Sequence, residues 1–441
     1  MAVLSERFGL SFVPEDVLKA MESIQRAGFE VWIVGGALRD LLLATEPKDW
    51  DLATSASTAK IISIFPKVIP VGIRHGTVQV HTRIRDIEIT SYEPPGEVGL
   101  LKDLGRRDFT INSLALSYPD GILIDAHGGR EDLRAGLLRA VGNPVERFSE
   151  DPLRIVRAAR ICGTYGFTVD KATFDAMRHE SGKLDGVSGE RIRDEILKIL
   201  SAENIVRAFD LLERSDALGR LLPGLDAAAN IETREGSGVS VLEQTLACIV
   251  NCPGRTRVRL AALLHNMATA VTGAETGGQP ADFRIESARI AARSMKKWNM
   301  SKRYMDEVST LVRRRLLPEA VSWSDAEIRR FITAAGPELL DDFAALAEAE
   351  VLSGECVEVG IEDMRRLGVR LKTQLGRISA FSVRELALGG DEVMRISGCS
   401  PGPEVGEILN QLFDLVQAEP ALNTRDNLAR IVETRYGAAD R

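Results

Sequence analysis

A chain of 441 residues with 44% apolar content has ample material for a core, is globular, and is long enough for two to four domains. Its formal net charge of −8 argues against a protein that coats nucleic acid non-specifically, although local basic clusters remain at Arg106-Arg107, Lys296-Lys297, Lys302-Arg303 and Arg313-Arg314-Arg315. No apolar run reaches the ~18–20 residues of a membrane helix, Glu6, Arg7, Glu15 and Asp16 interrupt any signal-like stretch, and five cysteines without a C-x-x-C pair fit a reducing compartment, so a cytoplasmic protein without a membrane partner is expected.

Residues Val17 to Ala27 predict an amphipathic helix that leads through Gly28 into a short β-branched strand, Val31 to Val34, stopped by Gly35-Gly36. Helix formers follow from Ala37 to Ala44, with Arg39 and Asp40 on the first turn, so the turn and the helix start offer backbone N–H groups to an anion; a plain tight turn is the alternative. In Asp49-Trp50-Asp51 the two carboxylates stand at i and i+2, which on a strand share one face. Like charges that close repel unless a divalent cation sits between them, and oxygen ligands with room left for phosphate suit Mg²⁺. Thr58 to Phe65 reads as a helix, and Lys67 to Val71, Thr77 to Thr82 and Arg85 to Ser91 as short strands. In the last, Ile87 and Ile89 share one face while Glu88 lies on the other with Asp86 and Thr90, which makes Glu88 a candidate third carboxylate; two solvated aspartates at a strand end are the bland alternative.

Gly35-Gly36-Ala37-Leu38-Arg39-Asp40 with Asp49-Trp50-Asp51 resembles the head of the class II tRNA nucleotidyltransferase and bacterial poly(A) polymerase family. The resemblance implies an α+β fold, a small mixed-sheet nucleotidyltransferase head over 1–138 followed by an all-α neck over 139–225, a body over 226–380 and a tRNA-binding tail over 381–441. It implies Asp49, Asp51 and Glu88 as catalytic residues, Asp49 and Asp51 as ligands of Mg²⁺, and Gly35, Gly36 and Arg39 as holders of a triphosphate.

Further along, Arg106-Arg107-Asp108-Phe109-Thr110-Ile111-Asn112 resembles the family's second motif. Arg107 would neutralise triphosphate or recognise ribose, and Asp108 and Asn112 would hold the loop or the sugar; a salt-bridged helix start is the alternative. The run from Asp125 to Leu133 matches the family's Asp-x-x-Gly-Gly-x-x-Asp-Leu segment, with a structural role. In Glu150-Asp151-Pro152-Leu153-Arg154, Pro152 suits the first turn of a helix that carries Arg154, Arg157 and Arg160 along one side. A row of arginines alone fits a salt-bridged surface, but the resemblance makes all three nucleotide-binding and makes Asp151 with Arg154 an amino-acid template for the base. Asp151 can accept from the exocyclic amine of cytosine or adenine and Arg154 can donate to the neighbouring ring acceptor, whereas uracil and guanine put a carbonyl where Asp151 needs a donor. Ser188 to Ile196 resembles a last motif, read as scaffold that orients the template helix.

From Val239 to Arg315 the pattern is helical and resembles a decayed HD domain: His265-Asn266 replaces the metal-holding His-Asp pair, Gln244 stands where a histidine is expected, and none occurs in Phe283 to Glu286. His265 then reads as a core histidine, Cys248 and Cys252 as packing residues, and Gly236 to Gly238 and Thr276 to Pro280 as connecting loops. The tail offers a glycine-rich turn, Gly398 to Gly406, feeding a helix from about Glu404 to Ala418, suited to a backbone phosphate or to a simple helix start. The resemblance implies an enzyme that adds C and A from CTP and ATP to the 3′ end of tRNA without a nucleic-acid template and releases pyrophosphate. Poly(A) polymerase, A-only addition and a non-catalytic RNA-binding protein are the alternatives. The connection from Glu88 to Arg107 is short and stiffened by Pro94-Pro95, which raises a further one, a CC-adding specialist whose pocket fits cytosine but cannot be remodelled for adenine.

Overall fold

Short β-branched runs separated by glycine and proline turns build the first half of the computed structural model, which describes residues 4–72, 76–234, 236–272 and 281–437. In chain order these are β1 (Leu4–Arg7), α1 (Glu15–Arg26), β2 (Val31–Val34), α2 (Gly36–Leu42), β3 (Trp50–Thr54), α3 (Thr58–Ile64), β4 (Val68–Gly72), β5 (Thr77–His81), β6 (Asp86–Ser91), α4 (Glu97–Gly105), β7 (Leu114–Ser117), β8 (Ile122–Asp125) and α5 (Gly129–Ala135). The eight strands form one sheet in the order β1-β8-β7-β2-β3-β6-β5-β4. Its neighbours are antiparallel except β3 and β6, which run parallel, so the sheet is mixed as expected.

Two faces follow from the strand period of two. Val31 and Ile33 bury one side of β2, where α1 packs through its row Val17, Ala20, Met21 and Ile24. On the other side Val34, Ala53, Ala115 and Ile124 meet Leu100 and Leu104 of α4. The stretch expected as a short stiff connection is therefore mostly a helix, fastened to the sheet by two fully buried leucines that contribute roughly 1.5–3 kcal/mol each. A side chain on Gly99 of that helix would put its Cβ 1.6 Å from the carbonyl oxygen of Pro94, so glycine is required for the close approach.

A two-residue strand β9 (Leu137–Leu138) leads from the sheet into helices α6 (Pro144–Glu150) and α7 (Leu153–Tyr165); β10 (Thr168–Val169) pairs back with β9, and α8 (Lys171–Glu180), α9 (Gly189–Ile199), α10 (Ile205–Arg214) and α11 (Leu218–Leu221) follow. Helix α7 is apolar on most sides, with Ile155, Val156, Ala158, Ala159 and Ile161 buried, because α9 and α10 both pack on it. These elements complete one compact unit, Met1–Leu221.

The second unit, Leu222–Arg441, is built of helices in its described residues, with one isolated antiparallel bridge between Glu232 and Ser240. Helices α12 (Val241–Asn251), α13 (Thr256–Leu264), α14 (Met267–Thr272), α15 (Ala281–Lys297), α16 (Lys302–Arg313), α17 (Asp325–Ala335), α18 (Leu340–Leu352) and α19 (Ile361–Leu375) fill the stretch expected as a body. The expected loop from Thr276 to Pro280 lies outside the described residues. Helices α20 (Gly390–Ser397), α21 (Pro403–Ala418) and α22 (Arg425–Tyr436) close the chain around Val393, Ile408, Leu412, Leu428 and Val432. Arg329 of α17 donates to the carbonyls of Gln417 at 2.7 Å and Ala418 at 2.6 Å, and so caps the end of α21.

Candidate active site

The face of the sheet that carries α4 also carries the acidic residues. Asp51 is the register partner of Val34 on β2 and of Glu88 on β6, and paired residues share a face, so Asp51 and Glu88 stand side by side. Asp49 is exposed and lies just before β3 begins at Trp50, at the mouth of the same group. Burial pushes the Asp51 carboxyl up to about 6, with the charges of Glu88 and Asp49 adding to this and those of Arg107 and Arg157 opposing it. Two arginines thus leave the three carboxylates short of positive charge. Hard oxygen donors with uncompensated charge fit a divalent cation.

Above Asp51 the backbone turns at Gly35, whose φ of 76° and ψ of −142° only glycine adopts readily. A Cβ there would lie 3.0 Å from both Arg107 Nη1 and Asp51 Oδ2, so the guanidinium and the carboxylate close on bare backbone. Arg107 is aimed by Asp103, one turn earlier, which accepts from its Nε at 3.2 Å and its Nη2 at 3.1 Å.

Arg39, expected as a holder of triphosphate, is already engaged within the protein. Its side chain is buried; Nη1 donates to Asn112 at 2.9 Å, Nη2 donates to the Tyr165 hydroxyl at 2.7 Å and to Asp40 at 2.8 Å, and the guanidinium lies over the Tyr165 ring. Tyr165 donates in turn to Asp40 at 2.6 Å. Asn112 passes the series on, donating to Asp108 at 3.1 Å, and Asp108 pairs with Arg157 at 3.0 Å. Burial opposes the Asp108 charge, but Arg157 and the hydrogen bonds from Asn112 and the Phe109 amide outweigh it and hold its carboxyl below the usual range.

The three arginines of α7 diverge. Arg154 donates to the carbonyl oxygens of Arg147 at 3.0 Å and Arg106 at 2.8 Å, Arg157 turns to Asp108, and Arg160 donates to Glu195 of α9 at 2.6 Å. Asp151 ends α6 in extended conformation, φ −145° and ψ 94°, since a residue before proline avoids the helical region. Both its oxygens accept from Arg191 of α9.

The structure therefore brings together Asp51, Glu88, Gly35 and Arg107, and it gives Arg39, Asn112, Arg157 and Arg160 named partners. Tyr165 escaped the sequence reading, and the expected scaffold of Ser188 to Ile196 acts through two partners that reading did not name, Arg191 on Asp151 and Glu195 on Arg160. Each meets its partner 35 to 126 residues away, a separation that no local spacing reveals.

In the second unit His265 is fully buried, its Nδ1 on the Ala262 carbonyl and its Nε2 2.7 Å from Glu355, which Arg315 also approaches at 2.8 Å; Arg315 reaches Glu350 at 3.3 Å. Two cations and two carboxylates neutralise one another there. Cys248 offers its sulfur within 4.8 Å of the His265 and Glu355 ligand atoms, and all five cysteines are free and buried.

A family model described as "Poly A polymerase head domain" matches residues 31–139, and one described as "Probable RNA and SrmB- binding site of polymerase A" matches residues 166–229. The chain is 30% identical to a CCA-adding enzyme of Streptococcus mutans over 95% of this chain and 96% of that one. It is 31% identical to a CCA-adding enzyme of a Geobacillus species over 90% of each. Among solved structures, it is similar to the Bacillus stearothermophilus CCA-adding enzyme in complex with CTP, with a TM-score of 0.73 and 26% identity over 96% of this chain and 97% of that one.

Proposed function

Because the chain belongs to the family of class II CCA-adding enzymes and bacterial poly(A) polymerases and is a tRNA nucleotidyltransferase, we propose that it completes the CCA end of tRNA from CTP and ATP. The observation that supports a working site in this chain is the pairing of Asp51 with Glu88 under Gly35, with charge left for a cation. A protein that only bound RNA would have no use for that repulsion.

In this reading Asp49 and Asp51 hold Mg²⁺, with Glu88 as a further ligand. The metal, when bound, supplies a lowered pKa to the attacking 3′ hydroxyl and charge for the leaving pyrophosphate. Arg107 and the bare backbone of Gly35 and Gly36 receive the triphosphate, which needs close approach and positive charge. Arg39 and Asn112, already committed to Asp40, Tyr165 and Asp108, position that turn. Asp151 and Arg154 read the base; Arg157 braces them against Asp108, and Arg160 against Glu195.

We assign residues 1–138 to the catalytic head, 139–225 to the neck, and 226–380 and 381–441 to a body and tail that take tRNA by shape and phosphate contacts. No helix among the described residues is long and apolar enough to cross a membrane, and the buried free cysteines support a cytoplasmic setting. A second reading, CC addition alone, is favoured by one observation: α4 is tied into the core by Leu100 and Leu104, which leaves little slack near the site. Incubation of the pure protein with tRNA transcripts ending at the discriminator base, at -C and at -CC, with each nucleotide in turn and with CTP and ATP together, decides between them. Full-length CCA product supports the first reading, a stop after two cytidines the second, and no incorporation in the presence of Mg²⁺ refutes both.

A further inference from the structure

Asp151 is held by a group forty residues further along the chain, and the geometry of that hold leaves an unequal pair of oxygens. Arg191 Nη1 donates to Asp151 Oδ1 at 3.1 Å and Arg191 Nη2 donates to Oδ2 at 2.8 Å, a two-pronged pairing of guanidinium with carboxylate. The Leu153 backbone amide also donates to Oδ1, at 3.3 Å. Each carboxylate oxygen has two lone-pair sites. Oδ1 has both taken, whereas Oδ2 has one taken by Arg191. The pair is not sealed: the side chain of Arg191 is 52% exposed and that of Asp151 23%.

From this count we infer that Arg191 determines base selection by fixing the Asp151 carboxylate so that a single acceptor site, on Oδ2, faces the incoming nucleotide. The inference rests on the reading of Asp151 as the residue that meets the base. Cytosine and adenine each present an exocyclic amine that can donate one N–H to a lone acceptor, whereas uracil and guanine present a carbonyl oxygen that would meet another oxygen there. The planar fork sets the tilt of the carboxylate as well as its position. A lysine would keep the charge and lose the tilt, so the carboxylate could turn and Oδ1 would be released from its second donor. Arg191 acts on the base only through Asp151; it is a positioning residue, and one turn further along α9 Glu195 fastens that helix to Arg160 of α7 at 2.6 Å.

The test is the ratio of kcat/KM for CTP to that for UTP, measured with a tRNA lacking its CCA end, for Arg191→Lys, Arg191→Met and Asp151→Asn, with thermal melts of each to follow folding. A well-placed pair of hydrogen bonds discriminates between bases by roughly 1–3 kcal/mol, or about 5- to 150-fold. We expect Arg191→Lys to lower the ratio about tenfold while kcat for CTP falls less than threefold, and Arg191→Met to lower the ratio further. A ratio at the wild-type level in both Arg191 variants, while Asp151→Asn collapses it, would overturn the inference and leave the template reading standing. An unchanged ratio in Asp151→Asn would overturn the template reading itself. An equal loss of rate for all four nucleotides in Arg191→Lys, with or without a lower melting temperature, would make the arginine a fold support and also overturn the inference.

Discussion

Asp51 and Glu88 face each other as register partners across the one parallel pair of the sheet, where neither the strand nor its neighbours supply enough positive charge to balance them. In the proposed reading the arrangement serves chemistry at the expense of stability. Asp51→Asn should reduce nucleotide incorporation about a thousandfold or more, since metal roles in phosphoryl transfer are worth several kcal/mol. The same change should make the protein more stable when no divalent ion is present. The Asp51 carboxyl is raised from 3.8 to about 6, so the folded state favours the protonated form, and that help is lost as pH rises through 6. Melts without divalent ions should therefore show the asparagine variant ahead by up to about 3 kcal/mol at pH values above about 6, with no advantage below about 4. A lower melting point at high pH would count against the charge argument.

The turn over that pair is the next point to probe. Gly35→Ala must bend a φ of 76° and place its methyl 3.0 Å from both Arg107 Nη1 and Asp51 Oδ2. We expect a loss of about 1–3 kcal/mol in urea unfolding from backbone strain, together with a raised KM for both CTP and ATP. Unchanged KM values would separate Arg107 from triphosphate binding.

Tyr165→Phe removes a hydroxyl that accepts from Arg39 at 2.7 Å and donates to Asp40 at 2.6 Å. Leaving those charged groups a partner short should cost about 1–3 kcal/mol of stability and lower kcat equally for CTP and ATP, because the contact orients the turn and not the base. A change confined to one nucleotide would show that Tyr165 takes part in base choice.

The strands between Val31 and Ser91, the acidic pair and the break before Pro152 were legible because their signals are local: a period of two, a glycine stop, a proline that dictates its neighbour's backbone. Strands β1, β7 and β8, four residues each, carry too short a pattern to stand out. Helix α4 was not legible either, since Leu100 and Leu104 reveal their role only when the sheet exists to receive them. The partners of Arg39, Arg157 and Arg160 were hidden for the same reason. An arginine row has identical spacing whether it faces a nucleotide, a carboxylate or water, and only the packing of α9 and of residues 106–112 against α7 distinguishes these.

In the second unit, the His265 ring has one nitrogen on the Ala262 carbonyl and the other on Glu355. Burial pulls its pKa down, but the charge and hydrogen bond of Glu355 prevail and raise it above 6.5. A raised histidine stabilises the fold fully below its unfolded value, near 6.5, and this contribution is lost as pH climbs past the folded value. Glu355→Gln leaves His265 and Arg315 short of a counter-charge and should cost about 3–5 kcal/mol, followed by thermal melts across that pH range. With Arg315 occupying the cationic position beside Glu355, no Mg²⁺-, Mn²⁺- or Ni²⁺-dependent phosphodiester hydrolysis is expected. Hydrolysis that vanished in His265→Ala would refute this.

The series from Arg39 through Asn112 and Asp108 to Arg157 draws its members from three separate stretches of the chain, each holding the next at 2.9, 3.1 and 3.0 Å. None of the four can be exchanged freely while the other three stay. Asn112→Asp would set a second carboxylate beside Asp108, and Arg157→Gln would strand Asp108 without its counter-charge. The four therefore behave as one unit under mutation: removing any member strands its neighbour, so the loss from two substitutions within the series should depart from the sum of the single losses more than for any pair at the exposed ends of α7 and α9.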